Sequence, residues 1–385
     1  MPARILIITN GHLCRNPRVV KEAETLGRAR YDVTVLHVRN HLPSAALDAE
    51  LAANASYRCE QIDATRRGGW RAFQRRLAGW CARQAASRLG WQTLGALGPA
   101  GSLLRRARQL PAELTIVHNE VAHGVGLHLR AAGRRVCADI EDWHSEDLLP
   151  ADRGRRPLDL LRRQERALLH TLVHATTTSH ALADGLFGRY GGARPHVIAN
   201  AFPLQIDPRP LRPAQSKAPA FFWYSQTLGP GRGLELFLAA WAQTTQASRV
   251  VLLGEPQPGY LEQLLAGVPP ARQARISFLD CVSPAALPSL VAEHDIGLAL
   301  EERTIPSRDL TITNKILQYL NAGLAVIASN TAGQREVLSR SPEAGVLVSP
   351  QETAGLTAIL DALLGDRTAL SRRQHAARRL AEEVY

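Results

Sequence analysis

The densest run of titratable side chains in the sequence is Glu141-Asp142-Trp143-His144-Ser145-Glu146-Asp147, directly after the expected strand Arg135–Ile140. Carboxylates beside a histidine at a strand's carboxyl end can orient one another and move protons, or coordinate a divalent metal. A loop that simply caps the following helix would use the same residue types. The metal reading is the weaker one, since no second ligand pair of fixed spacing stands nearby. A second chemistry-bearing stretch is Thr311–Glu336. Thr313 or Asn314 can cap a helix whose apolar positions Ile316, Leu317, Leu320 and Ala322 recur with helical spacing. Gly323 ends that helix, and Leu324–Ala328 reads as a buried parallel strand. Capping hydroxyls, free backbone N–H groups and Lys315 at a helix N-terminus suit a phosphate, although an ordinary capped helix reads the same way. Lys21, Lys217 and Lys315 are the chain's lysines among 46 basic residues, so lysine is not the default cation here. A compact ammonium serves a diphosphate as a point charge, where arginine would act as a wide fork.

A third stretch is the loop Ser225-Gln226-Thr227-Leu228-Gly229-Pro230-Gly231-Arg232-Gly233, between the strand Ala220–Tyr224 and a helix over Leu234–Gln243. Its glycines allow backbone N–H groups to approach a phosphate, and Arg232 adds charge.

The elements that must hold these residues alternate strand and helix. Arg4–Thr9 is a short buried strand, Asn16 an N-cap and Pro17 the first helical residue. Val19, Val20, Ala23, Leu26 and Ala29 give that helix its buried face, and Val33–Val38 is the next strand. The loop Asn10-Gly11-His12 therefore sits at the carboxyl edge of a βαβ unit, where open α/β sheets bind ligands. No GxGxxG occurs there, so a nicotinamide or flavin site is not supported. Further strands are expected at Leu114–His118 (leading into Asn119 and Glu120), Val173–Thr178 and His196–Ala199. Helices are expected at Leu158–His170, with Arg155 and Arg156 ahead of it, and from Ser179. The second half repeats the pattern with strands at Val250–Gly254, Ile276–Leu279, Asp295–Leu300 and Gly345–Val348. Both halves thus read as parallel, doubly wound α/β domains. Pro203, Pro208, Pro210, Pro213 and Pro219 mark a stiff linker between them.

With 385 residues, 45% hydrophobic and 21% charged, the chain can form two soluble domains. No run of about 18 apolar residues predicts a membrane span. Cys14, Cys59, Cys81, Cys137 and Cys281 are odd in number and lack CxxC spacing, which reads as reduced thiols in the cytoplasm. The start of the chain enters a strand without a secretory leader pattern, and Val384-Tyr385 falls inside a closing helix, which leaves a further tail open. The net charge of +11 calls for an acidic partner. Much of it lies between Arg66 and Arg108, where ten arginines occur with no acidic residue. There Trp70, Phe73, Leu77, Trp80 and Cys81 share one helical face. Either that face lies on an anionic membrane surface, or it packs into the domain core and leaves the arginines solvated. The belt carries no RNA or DNA motif, so nucleic acid is not expected.

Taken together, the order and spacing of four segments resemble the GT-B glycosyltransferases, closest to the family 4-like group (glycosyl transferases group 1). These are Asn16-Pro17-Arg18-Val19-Val20-Lys21-Glu22-Ala23, the pair Val173–Leu186 with Val197–Pro203, the loop Tyr224–Glu235, and Asn314-Lys315-Ile316-Leu317-Gln318-Tyr319-Leu320-Asn321-Ala322-Gly323. The resemblance covers nearly the whole chain. It implies two Rossmann-like domains facing each other across a cleft: an acceptor domain over 1–203, a linker over 204–219, a nucleotide-sugar domain over 220–370, and a helix over 371–385 of the kind that crosses back.

It further implies a sugar transferred, with retention, from a nucleotide-diphosphate sugar to a glycan or lipid-linked acceptor in polysaccharide or glycoconjugate synthesis. Gly229, Arg232 and Lys315 would meet the diphosphate with Thr313 and Asn314, and Cys281 and Val282 would sit by the base. Gln318 stands where many members carry a ribose-binding glutamate, and Gln226 where many carry an arginine. The partner glutamate would fall on Leu310, which leaves Asp309 or Glu302 to contact the sugar. Asp142 and His144 would orient or deprotonate the acceptor with support from Glu141, and Asn10, Gly11, His118 and Asn119 would line the acceptor side. Neither metal nor other cofactor is expected, because helix N-termini and cations bear the leaving diphosphate's charge. The location implied is cytoplasmic, peripheral on the membrane's inner face if the arginine–tryptophan stretch meets lipid. The glutamines at 226 and 318 leave open a degenerate module that binds glycan or lipid without transfer; a nucleotide-sugar epimerase is the remaining alternative.

Overall fold

The computed structural model describes residues 2–149, 153, 156–204, 218–349 and 353–385. The chain forms two compact units, residues 1–198 and 199–385. In the first, seven parallel strands are β1 (Arg4–Ile8), β2 (Asp32–Arg39), β3 (Arg58–Asp63), β4 (Leu114–His118), β5 (Val136–Ile140), β6 (Ala175–Thr177) and β7 (His196–Val197). Their order across the sheet is β3-β2-β1-β4-β5-β6-β7. β1 pairs in parallel with β2 on one side and β4 on the other, so the winding reverses between β1 and β4. At that reversal the loops leave in opposite directions and open a crevice beyond the strand ends.

The second unit repeats the plan with β8 (Ala220–Leu228), β9 (Arg249–Pro256), β10 (Ile276–Leu279), β11 (Ile296–Ala299), β12 (Ala325–Ser329) and β13 (Gly345–Val348). The order is β10-β9-β8-β11-β12-β13, and the reversal falls between β8 and β11. Phe221, Trp223, Leu252, Leu298 and Ile327 fill one side of this sheet, with Phe237, Leu238 and Trp241 of the helix Leu234–Ala242. On the other side Phe222, Val251 and Val326 pack with Ile316, Tyr319 and Leu320.

Several expectations change in detail. The helix Leu42–Ala53 and strand β3 were not foreseen, because Arg58–Asp63 is largely polar and forms a sheet edge. Ser225–Leu228 is not loop: β8 continues through it past an irregularity between Tyr224 and Thr227, which leaves a tighter turn over Gly229–Gly233. The proline-rich linker falls mostly on residues 205–217, which lie outside the described residues, as does Arg155. The final helix runs Arg367–Val384. Its Leu370 joins one core of the second unit and its Ala376, Ala377, Leu380 and Ala381 the other. Arg378 also donates to the Asn321 carbonyl at 2.5 Å.

For the aromatic stripe the structure rules out core packing, one of the two readings left open by the sequence. Trp70, Phe73, Leu77 and Trp80 lie on the helix Gly69–Leu89, but none of them enters the core: all are exposed. What that helix packs inward is Ala72. A face of small side chains suits close approach, and the bulky face has no room there.

Candidate active site

In the first unit a buried ionic network forms around Asp139, on β5. The Arg18 guanidinium donates to both carboxylate oxygens, at 2.6 and 2.7 Å. His118, at the end of β4, sits with Nδ1 3.2 Å from the same carboxylate and Nε2 2.6 Å from Glu22. Asn16 explains the geometry upstream: its side chain accepts from the Val19 N–H at 3.2 Å and starts the helix Pro17–Arg28. Arg18 and Glu22 are then four residues apart on one face of that helix. Burial alone would depress the His118 pKa, but Glu22 and Asp139 outweigh it and raise it to about 10. Burial opposes ionisation of Asp139 too, yet His118 and Arg18 hold its carboxyl far below the ordinary range.

Around this network lie groups held in the opposite sense. Glu141 has its carboxyl raised, first by burial and then by Asp139. Burial lowers the Lys21 ammonium to about 8, with Glu141 opposing. His123 donates from Nε2 to the Asp139 carbonyl oxygen at 2.8 Å, and burial takes its pKa down to about 3. With the carbonyl as acceptor, Nε2 carries the proton. His144 stands with its ring centroid 5.5 Å from that of His123 and its Nδ1 3.8 Å from Glu120. Glu120 is paired in turn with Arg156 at 2.7 Å. The His144 Nε2 is buried with no hydrogen-bond partner among the described residues. Asp142 is half-buried in the same loop.

At the β1/β4 reversal, Asn119 adopts φ 60°, accepts from the Asn10 N–H at 3.2 Å and donates to the Thr9 hydroxyl at 2.8 Å. The Asn10 carbonyl oxygen Oδ1 is buried and unpartnered among the described residues, and a Cβ on Gly11 would meet open space. Asn10, Gly11 and Asn119 therefore do come together at the crevice. His118 does not share their setting: it is buried and engaged by the carboxylates.

In the second unit the cations converge on a residue that the sequence reading passed over. Glu301, immediately beyond β11, is buried and accepts from Lys315 Nζ at 2.7 Å and from Arg232 Nη1 at 3.4 Å. Its own N–H donates to the Ser329 hydroxyl at 2.7 Å. Lys315 also lies 5.4 Å from the centroid of the Trp223 ring. Burial would raise the Glu301 carboxyl, but Lys315 and Arg232 hold it below its ordinary value. Burial lowers the Lys315 ammonium; Glu301 opposes this, and Arg232 and Arg308 reinforce it. Arg308 also donates to the Gly231 carbonyl at 3.2 Å. Three cations thus bear on Glu301, and the surplus of positive charge favours an anion.

That surplus faces the start of the helix Asn314–Asn321. Thr313 is the N-cap, but its hydroxyl makes no capping bond, contrary to the sequence expectation. The Thr311 and Thr313 hydroxyls are both buried without a partner among the described residues. Asn314 accepts from the Asn200 amide at 2.6 Å. Gln318 accepts from the Tyr224 hydroxyl at 2.9 Å, which leaves its own amide N–H groups as donors. Asp309 braces the adjoining loops, accepting from the Ala332 N–H and from Arg303, both at 3.2 Å. Cys281 reaches the Gln226 carbonyl at 3.5 Å, and Gln226, Cys281 and Val282 are exposed together. Gly229 packs on the Gln257 side chain, since a Cβ there would lie 2.8 Å from it.

Glu22, Glu120, His123, Glu301 and Arg308 are what the sequence reading missed. Two signals were present: Arg18 and Glu22 at helical spacing, and a carboxylate just past a strand's carboxyl end at 301. Among the described residues, no group of three or more His, Cys, Asp or Glu is arranged to hold a metal ion. No described helix is long and apolar enough to cross a membrane.

Comparison with known proteins places the fold. The fold matches the sucrose-phosphate synthase of Thermosynechococcus elongatus with a TM-score of 0.72 at 16% identity, over 100% of this chain and 95% of that one. It matches Anabaena HepE in complex with UDP at 0.69 and 16%, over 99% and 95%. An α,α-trehalose-phosphate synthase (UDP-forming) from Burkholderia vietnamiensis matches at 0.66 and 14%, over 99% and 96%. No curated protein matches in sequence. The architecture is that of the GT-B glycosyltransferases. Residues 219–366, within the second unit, match the family model described as Glycosyl transferases group 1.

Proposed function

We propose that the chain transfers a sugar from a nucleotide-diphosphate donor held by the second unit to a glycan or lipid-linked acceptor held by the first. The observation that carries this reading is the cluster of Lys315, Arg232 and Arg308 around Glu301 at the start of the helix Asn314–Asn321. A diphosphate there meets cations, a helix N-terminus and two unpartnered hydroxyls in a water-poor setting. Relatives in fold support the donor class: Anabaena HepE has been seen with UDP and with UDP-glucose. Gln318 would donate to the ribose hydroxyls, with Gln226, Cys281 and Val282 by the base. Gly229 would let the backbone close on the phosphates.

On the acceptor side, Asp142 and His144 would orient or deprotonate the accepting hydroxyl, with Glu141 behind them. Asn10, Gly11 and Asn119 would line the acceptor. Bond cleavage leaves a nucleoside diphosphate whose new charge the cluster bears, without need of a metal. Retention of configuration, a place in polysaccharide or glycoconjugate synthesis and a cytoplasmic setting complete the reading.

The test is thermal stabilisation of the whole chain by a panel of nucleoside diphosphates and nucleotide sugars. A ligand at a hundredfold excess over Kd adds about 2.7 kcal/mol. A shift with one base's diphosphate, abolished in Lys315→Ala and reduced in Arg232→Ala, is the expected result. No shift with any of them would sink the donor site. Tight donor binding with neither transfer nor hydrolysis would assign the chain to the non-catalytic binding module instead.

A further inference from the structure

The helix Gly69–Leu89 is fixed to the first unit along one side. Ala72 is buried, and Ala82 lies against Gly95, where an added Cβ would be 3.3 Å away. Arg75 donates to the Asp63 carbonyl at 2.5 Å and to the Ser102 hydroxyl at 3.1 Å, and Arg76 donates to the Thr65 carbonyl. The opposite side is apolar and uncovered. Trp70, Phe73, Leu77 and Trp80 are 70, 43, 47 and 54% exposed, and Leu89, the last helical residue, and Trp91 just beyond it are 63 and 65% exposed. Trp70 and Phe73 stack with centroids 5.3 Å apart. Arg66, Arg67, Arg71, Arg83 and Arg88 are exposed beside them. From Ala64 to Ala112 there is no acidic residue against ten arginines.

We propose that this face docks on an anionic lipid surface. A monomeric protein rarely leaves two tryptophans, a phenylalanine and a leucine in one exposed row without an apolar partner for them. Tryptophan has an apolar ring with a polar edge, which suits the headgroup boundary, and arginine stems can lie along the apolar layer while their heads meet lipid phosphates. Attachment needs two signals, buried apolar area and charge, and this helix carries both. A second copy of the chain fits poorly, because two acid-free arginine belts would be brought together.

Flotation of the purified full chain with vesicles tests the proposal. One set is phosphatidylcholine alone, the other phosphatidylcholine with phosphatidylglycerol. Expected is binding to the second set at least tenfold above the first, weakened by salt, with a blue shift of tryptophan emission. W70S/W80S should lower that binding tenfold or more with an unchanged melting temperature, since both rings are outside the core. R66E/R71E/R88E should remove the preference for phosphatidylglycerol. No binding, equal binding to both vesicles, or full binding by W70S/W80S would overturn the proposal. So would a concentration-dependent dimer that W70S/W80S dissolves, which would put a second copy on this face. Nucleotide stabilisation read on the same variants should be unaltered, so this proposal and the transferase reading can fail separately.

Discussion

Lys315 and Glu301 are locked in a buried ion pair, Nζ to Oε1 at 2.7 Å, with Arg232 on the second carboxylate oxygen at 3.4 Å. Glu301 is therefore a positioning residue: it holds two cations side by side that would otherwise repel. Glu301→Gln removes the compensating charge and should destabilise the protein by about 3–5 kcal/mol, the usual effect of breaking a buried pair. Because the folded Glu301 pKa is depressed, its stabilisation is present above the ordinary value of 4.5 and is lost as pH falls through the folded value. Melting curves against pH should show the wild-type advantage over Glu301→Gln vanish in acid. An advantage that stays constant down to strongly acidic pH would contradict this.

Anion binding at the cluster should draw in protons. The Lys315 ammonium is held below its ordinary 10.5 by burial, and by Arg232 and Arg308 as well. A bound diphosphate relieves the repulsion and raises that pKa, so affinity should fall as pH climbs through the apo value. Calorimetry at alkaline pH in buffers of different ionisation heat should report proton uptake, absent in Lys315→Met.

His118 should give the first unit a stability that fades in base. Its folded pKa of about 10 lies above the ordinary 6.5, so the contribution is full below pH 6.5 and is lost as pH rises through about 10. His118→Gln should cost about 3 kcal/mol near neutrality. The difference between the two proteins should shrink across that window. Denaturant titrations at a series of pH values would show it.

Gly333→Ala tests whether the helix Ala332–Leu338, just past β12, sets the proposed donor site. A Cβ on Gly333 would lie 2.3 Å from the Thr311 carbonyl oxygen, and backbone there cannot swing aside as a side chain can. Overpacking of this kind costs about 1–3 kcal/mol. Since Thr311 leads into Thr313 and Lys315, nucleotide-diphosphate affinity should also drop, about tenfold. Unchanged affinity would mean that the helix start tolerates the displacement.

How much of this was legible in the sequence depended on the range of the interactions. Asn16 capping Val19 and Gly323 in the left-handed region at φ 69° are local devices, and the sequence announces them. Alternating buried strands such as Leu114–His118 were equally plain. The edge strand Arg58–Asp63 was not, because an edge exposed to water needs no apolar run. The Asp139 network joins residues 121 and 96 positions apart through Arg18 and Glu22–His118, and no spacing rule encodes such a pairing. Glu301 was obscured for the same reason, since its meaning comes from Lys315 and Arg232 arriving from other elements. The aromatic stripe was seen as a helical face, but periodicity is blind to whether a face turns inward. Only the small-residue side at Ala72 resolves that.

The acid-free stretch that carries the stripe lies wholly between β3, at the sheet edge, and β4, the central strand. Making that crossover requires one helix on the sheet, and Ala100–Gln109 already packs there through Leu103 and Ala107. The helix Gly69–Leu89 is in this sense an elaboration, free to change its outward residues without altering strand order or either charge network. The exposed aromatic row and the two charge networks are thus written in separate passages of the chain, and each can be edited, by selection or by design, without rewriting the other.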